Sequence, residues 1–125
     1  AKIREHIVAL LARCAKSPKG RHSIQKAGLG RVVSLIKGND DQATVANGAI
    51  MISELSVLGD LDALGGAVPA LVHALRREGE GNEFQVMQKN SAVALAKLAK
   101  HPKNLMLIRQ LHGIELMYRI VARGR

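Results

Sequence analysis

The sequence predicts an all-α protein, a right-handed α-solenoid built from three-helix repeats, and three observations support this fold class. The motif Lys16-x-Pro18-Lys19 returns as Lys100-x-Pro102-Lys103, 84 positions later (100 − 16 = 84), which is two steps of 42 residues. A repeat of roughly 40 to 47 residues is typical of helical solenoids, whose units bury their apolar faces only by stacking. The composition is 47% hydrophobic and 2% aromatic, which indicates an aliphatic core.

The third observation is a helical pattern that occurs three times. Its apolar residues have the i, i+3, i+4, i+7 spacing of one helix face. The three sets are Leu29, Val32, Val33 and Ile36; Val68, Leu71, Val72 and Leu75; and Ile114, Met117, Tyr118 and Val121. We expect one helix at each set. The loop around residues 78–82, which follows the second of these helices, is four residues longer than the corresponding loop after the first.

Further helices are predicted before and after these three. Longer ones are expected at about 3–16, 42–57 and 83–100, the last with Asn82 as its N-cap and Gln85 three residues later. Short helices are expected at about 19–27, 60–64 and 103–111. Pro18 and Pro102 suit the first turn of a helix, and the paired carboxylates Asp40-Asp41 and Asp60-x-Asp62 lie at predicted helix starts, where Asp suits capping.

Two segments resemble armadillo repeats. Residues 66–75 (GAVPALVHAL) are similar to the second-helix signature of that family, and residues 90–99 (NSAVALAKLA) are similar to the third-helix signature. HEAT repeats are the alternative, but the glycine between helices 1 and 2 and the three-helix spacing favour armadillo repeats. The resemblance implies a single fragment spanning 1–125: the third helix of a truncated repeat at 1–17, complete repeats at 18–57 and 58–101, and the first two helices of a truncated repeat at 102–125.

The resemblance also implies where a partner binds, since third helices of armadillo arrays line a concave groove that holds extended peptides. Family members of this kind use a Trp and, four residues later, an Asn from each third helix. This chain departs from that pattern, so an amide ladder along the peptide backbone is not expected. Its residues at the Trp-like positions are Ala9, Ile50 and Val93, and those at the Asn-like positions are Arg13, Glu54 and Lys97.

Charge therefore replaces the amide ladder in the predicted groove. Arg and Lys only donate hydrogen bonds and Glu only accepts them, whereas an amide does both. Asn47 and Asn90, one or two turns earlier, are additional polar candidates. We expect a non-enzymatic scaffold or adaptor module that binds an extended, acidic segment of a protein or peptide partner.

The charge distribution supplies an alternative function. The net charge is +9, but the basic residues form two blocks: residues 1–37 carry +8, residues 38–75 carry −5 and residues 76–125 carry +6. Nucleic-acid binding needs positive charge that follows the phosphate backbone at short intervals, and stacking aromatic residues help with single strands. The acidic centre and the single Phe and single Tyr make nucleic acid or another acidic surface the second choice.

Other chemistry lacks support in the sequence. The five His residues and Cys14 do not have metal-ligand spacing, and no catalytic constellation or cofactor motif is recognisable. We therefore expect no enzyme activity, cofactor or metal. The lone cysteine and the absence of a long apolar run favour a cytoplasmic protein, with the nucleus as the alternative, and no membrane insertion.

The ends of the array are expected to expose apolar side chains. Without neighbouring repeats, these are Ile3, Ile7 and Leu10 on the first helix and Met117, Ile120 and Val121 on the last. Apolar patches of this kind favour association. Self-association through the solenoid ends is a corresponding prediction.

Overall fold

The computed structural model describes residues 2–37 and 41–123, and within these ranges the chain is helical with no strand. The α-helices are α1 (Lys2–Cys14), α2 (Pro18–Ala27), α3 (Leu29–Ser34), α4 (Gln42–Leu55), α5 (Leu61–Leu64), α6 (Val68–Arg76), α7 (Asn82–Leu98), α8 (Pro102–Gln110) and α9 (Gly113–Arg123). Two 3-10 turns, Ser56–Leu58 and Gly65–Ala67, flank α5. Every helix predicted from the sequence is present.

The helix starts follow local capping chemistry. Side-chain oxygens of Ser17, Asp41 and Asp60 accept hydrogen bonds from backbone N–H groups in the first turns of α2, α4 and α5. His101 Nδ1 accepts one from the N–H of Lys103 at the start of α8. These bonds satisfy donors that have no partner inside the helix.

Two sequence-based expectations about helix ends are wrong. Asn82 is the first helical residue of α7 and not its N-cap, because Gly81, with φ of 101°, turns the chain into the helix one residue earlier and provides no side-chain cap. The predicted ends at 16, 57 and 100 extend two residues too far. α4, for example, tightens into a 3-10 turn after Leu55.

The three long helices pack in sequence order. α1 packs on α4, and α4 packs on α7. α6 packs against α7, α8 and α9, while α3 packs against α5 and the 3-10 turn that follows it. The predicted third helices α1, α4 and α7 are therefore neighbours in succession, and α6 also packs on its equivalent α9, an arrangement compatible with an α-solenoid.

The core is aliphatic, as the composition predicts. The apolar residues that define α6, together with Leu95 and Leu98 of α7, are fully or almost fully buried. Equivalent residues of α3 are also buried, whereas those of α9 are only partly buried or exposed. α9 is thus the one member of this predicted set that remains open to solvent.

Candidate partner-binding surface

The candidate surface is the solvent-facing side of α1, α4 and α7. In α4, Asn47, Ile50 and Glu54 have the i, i+3, i+7 spacing of one helix face, and Asn90, Val93 and Lys97 have the same spacing in α7. Ala9 and Arg13 are the corresponding residues of α1. α4 packs between α1 and α7, so the eight predicted residues lie on neighbouring helices. None of the eight is fully buried.

The exposure of the apolar residues on this surface differs from helix to helix. Val93 is 51% exposed, whereas Ile50 is partly buried and packs against the main core. Ala9 is also partly buried. A side chain from a partner would therefore find the most accessible apolar area on α7.

Glu54 already has a partner within the chain. Its carboxylate lies 3.8 Å from Nη1 of Arg21, and the two side chains are 36% and 17% exposed. Arg21 is held in place by a second interaction, since its Nη1 donates a hydrogen bond to the carbonyl oxygen of Ala15 at 2.9 Å. In the expected row of charges Arg13, Glu54 and Lys97, the central negative charge is thus neutralised by Arg21.

Arg21 is a residue that sequence reasoning did not assign to the surface. It lies in α2, and the sequence contains no motif that links it to Glu54, which is 33 positions away (54 − 21 = 33). Only tertiary packing brings the two side chains together. The net charge of the predicted row is consequently more positive than Arg13, Glu54 and Lys97 alone suggest.

The two asparagines differ in their surroundings. Nδ2 of Asn90 lies 3.4 Å from the carbonyl oxygen of Ala46 and so links α7 to α4 with a long hydrogen bond. Asn47 makes no side-chain hydrogen bond within the part of the chain that the structure describes. Its amide can both donate and accept, which makes it the more available of the two for a partner's backbone.

Chemistry outside this surface is sparse. In the ranges 2–37 and 41–123, no three His, Cys, Asp or Glu side chains come together in a way that could hold a metal ion. At the start of α9, Nδ1 of His112 lies 3.2 Å from the carboxylate of Glu115. A hydrogen bond from the backbone of Glu115 and the hydrogen bond with His112 lower the pKa of this carboxyl from its usual value. Both side chains are well exposed.

Comparisons with protein-family models, with curated proteins and with solved structures found no match to this chain. Among the described helices, none is both long enough and apolar enough to cross a membrane.

Proposed function

We propose that the chain is an armadillo-type α-solenoid segment that acts as a non-enzymatic protein-interaction module. The single observation that carries the proposal is the packing of α1, α4 and α7 in succession, with equivalent residues of each helix at least partly exposed. A row of side chains from parallel elements suits an extended ligand, whose successive residues advance about 3.3 Å each. The resemblance of residues 66–75 and 90–99 to armadillo signatures supports the same interpretation.

The charges along the row indicate an acidic ligand. Arg13 lies at one end and Lys97 at the other, while the central Glu54 is paired with Arg21. A segment of six or seven residues with Asp or Glu near both ends and small apolar residues between them would match this order. Exposed ion pairs contribute only about 0.2 to 1 kcal/mol each, so charge provides specificity and apolar contacts provide much of the affinity.

The test uses a fluorescent seven-residue peptide with two acidic residues at each end and Ala-Val-Ala between them. We expect binding, measured by fluorescence anisotropy, to weaken about tenfold in the double variant Arg13→Glu with Lys97→Glu. The matched control is Lys26→Glu with Arg109→Glu, which changes net charge equally on exposed residues of α2 and α8. Equal loss in both variants, or no binding of the acidic peptide, would contradict the proposal.

A second candidate function is binding of nucleic acid or another acidic surface through the basic terminal blocks. The Arg21–Glu54 pair favours this function, because Arg21 offsets the charge of one of the acids that separate the two basic blocks. Several phosphate contacts would make the affinity for an oligonucleotide fall steeply with salt concentration. Tighter binding of a single- or double-stranded oligonucleotide than of the acidic peptide, with such a salt dependence, would establish this function over the first.

A further inference from the structure

The environment of α6 shows how a helix of its type is covered within this molecule. α6 packs against α7, α8 and α9, and its residues Val68, Leu71, Val72 and Leu75 are almost completely buried. A methyl group added at Gly113, the first residue of α9, would lie 3.3 Å from Cγ2 of Val72. The three helices thus form a groove that α6 fills.

The equivalent groove at the other end of the molecule contains no helix in the described part of the chain. α1, α2 and α3 correspond to α7, α8 and α9, and they border an apolar depression of about 460 Å³. Apolar residues line it: Leu11 and Cys14 of α1, Ile24 and Ala27 of α2, and Val32 of α3 with Leu35, the residue that follows α3.

The solvent-facing residues of α1 support this equivalence. Ile3, Ile7 and Leu10 are exposed on α1. In the alignment that pairs Ala9 with Ile50 and Val93, their counterparts are Thr44, Gly48 and Met51 in α4 and Met87, Ser91 and Ala94 in α7, all of which are buried. Positions that other helices cover in α4 and α7 are therefore uncovered in α1.

α9 has the opposite deficiency. Its residues Tyr118 and Val121 are 74% and 58% exposed, although their counterparts in α6, Val72 and Leu75, have no exposed surface. Partly buried apolar residues beside them, Met117 and Ile120, extend the same face. One copy of the chain thus presents both a groove that lacks a helix and a helix that lacks a groove.

We propose that two copies of this chain associate head to tail, with α9 of one copy in the α1–α2–α3 groove of the next. Within the molecule, a side chain at Gly48 would collide with Ile36, so these two positions face each other. Their counterparts are Ile7 and Val121, which should meet across the new interface. Because Ile7 is larger than Gly48, α9 must lie farther from α1 than the chain near Ile36 lies from α4.

This association is heterologous, because the two contacting surfaces are different. A dimer leaves one groove and one α9 free, so the assembly can add further copies and does not stop at a dimer. Both surfaces are flanked by basic residues, Lys2 and Arg4 on α1 and Arg119 and Arg123 on α9. Repulsion between these positively charged surfaces opposes association. Added salt screens this repulsion, so it should strengthen the association.

The test measures the mass of the 125-residue chain by sedimentation at increasing protein and salt concentrations. We expect growth beyond a dimer in the wild type and a loss of affinity of about tenfold or more in Ile7→Glu and in Val121→Glu. Ile7 and Val121 are both exposed, so neither change should unfold the protein. Val57→Glu, at an exposed apolar residue outside both surfaces, is the matched control and should associate as the wild type does.

Mixing the two variants separates this proposal from other modes of association. Ile7→Glu retains a functional α9 and Val121→Glu retains a functional groove, so an equimolar mixture should form a dimer that does not grow. Cys14 lines the groove, and its labelling by a maleimide should slow in the mixture relative to either variant alone. A strictly monomeric wild type, unchanged association of either variant, or a mixture that does not dimerise would overturn the proposal, whatever the result with the acidic peptide.

Discussion

Gln88 and Arg123 join α7 to α9 through a hydrogen bond of 2.6 Å, which Nη2 of Arg123 donates to Oε1 of Gln88. The amide nitrogen of Gln88 lies 3.1 to 3.3 Å from the carbonyl oxygens of Ala74, Leu75 and Arg77 at the end of α6. A helical bond to these carbonyls would need an N–H four residues later, beyond the end of α6, so they have no partner within the helix. A single buried side chain thus connects three helices.

The first prediction is that Gln88→Ala destabilises the fold. The substitution removes the donor to the α6 carbonyls and the acceptor for Arg123, and unsatisfied buried polar groups cost about 1 to 3 kcal/mol each. We expect the free energy of unfolding, measured by urea denaturation, to fall by about 2 to 4 kcal/mol once loss of packing is included.

Gln85→Ala provides the matched control, because Gln85 is exposed on the same helix. Substitutions at such positions usually change stability by no more than about 0.5 kcal/mol. Equal urea midpoints for the two variants would show that the bridge between α6, α7 and α9 contributes nothing.

The second prediction concerns two glycines within helices. An added methyl group at Gly48 would collide with Cγ2 of Ile36, whereas one at Gly30 would have no atom within 4 Å. Gly48→Ala should therefore destabilise the protein by about 1 to 3 kcal/mol despite the higher helix propensity of Ala.

Gly30→Ala should have the opposite sign, with stabilisation of up to about 1 kcal/mol, because Ala reduces the freedom of the unfolded chain. Thermal denaturation of both variants is the measurement. If Gly48→Ala raised the melting temperature as Gly30→Ala does, the close packing of α4 against the chain near Ile36 would be wrong.

The sequence predicted the helices far better than the contacts between them. Helix positions depend on local features, such as the Pro18 and Pro102 starts and the repeated apolar spacing, and these could be located to within about two residues. The Asn82 cap was wrong because Gly81 offers a backbone conformation that competes with a side-chain cap. A glycine N-cap is less stable than an Asn N-cap by only a few tenths of a kcal/mol, so the helix can begin at either position.

The candidate surface was predictable in part, for a related reason. The spacing of Ile50 and Glu54 places them on one face of a helix, and the repeat indicates which residues of α1 and α7 are equivalent. The Arg21–Glu54 pair depends on how α2 packs beside α4, which no spacing in the sequence specifies. The Gln88–Arg123 bond depends on tertiary packing in the same way.

The third prediction is a pH dependence at Glu115. Its pKa is lowered in the folded protein, first by a backbone hydrogen bond of its own and then by His112. A carboxyl with a lowered folded pKa stabilises the fold above its unfolded pKa, and this contribution is lost as the pH falls through the folded value. We therefore expect wild type to exceed Glu115→Gln in melting temperature at pH 6 and to lose this advantage below pH of about 4.

The comparison with Glu115→Gln isolates one carboxyl from the general effect of acid on a basic protein. The substitution preserves the size of the side chain and removes its negative charge, and the residue is exposed, so packing should not change. A difference in melting temperature that stayed constant from pH 6 to pH 3 would rule out the expected titration.

The fourth prediction follows from the Arg21–Glu54 pair and concerns binding. If the surface of α1, α4 and α7 holds an acidic segment, Glu54 acts against the ligand both by its own charge and by occupying Arg21. Glu54→Gln should raise the affinity for the acidic seven-residue peptide, and Arg21→Gln should lower it because Glu54 loses its counter-charge. A partly exposed pair contributes about 0.2 to 1 kcal/mol, so the expected changes are about 1.4- to 5-fold in opposite directions.

Stability measurements keep this prediction separate from folding. Arg21 also donates to the carbonyl of Ala15, so Arg21→Gln should lower the free energy of unfolding, whereas Glu54→Gln leaves that bond in place. The informative result is the affinity of Glu54→Gln, measured by fluorescence anisotropy at low salt where exposed charges act most strongly. An affinity that fell in this variant would mean that Glu54 itself contacts the ligand. The partner would then carry a basic or neutral donor opposite α4, with acids facing only Arg13 and Lys97.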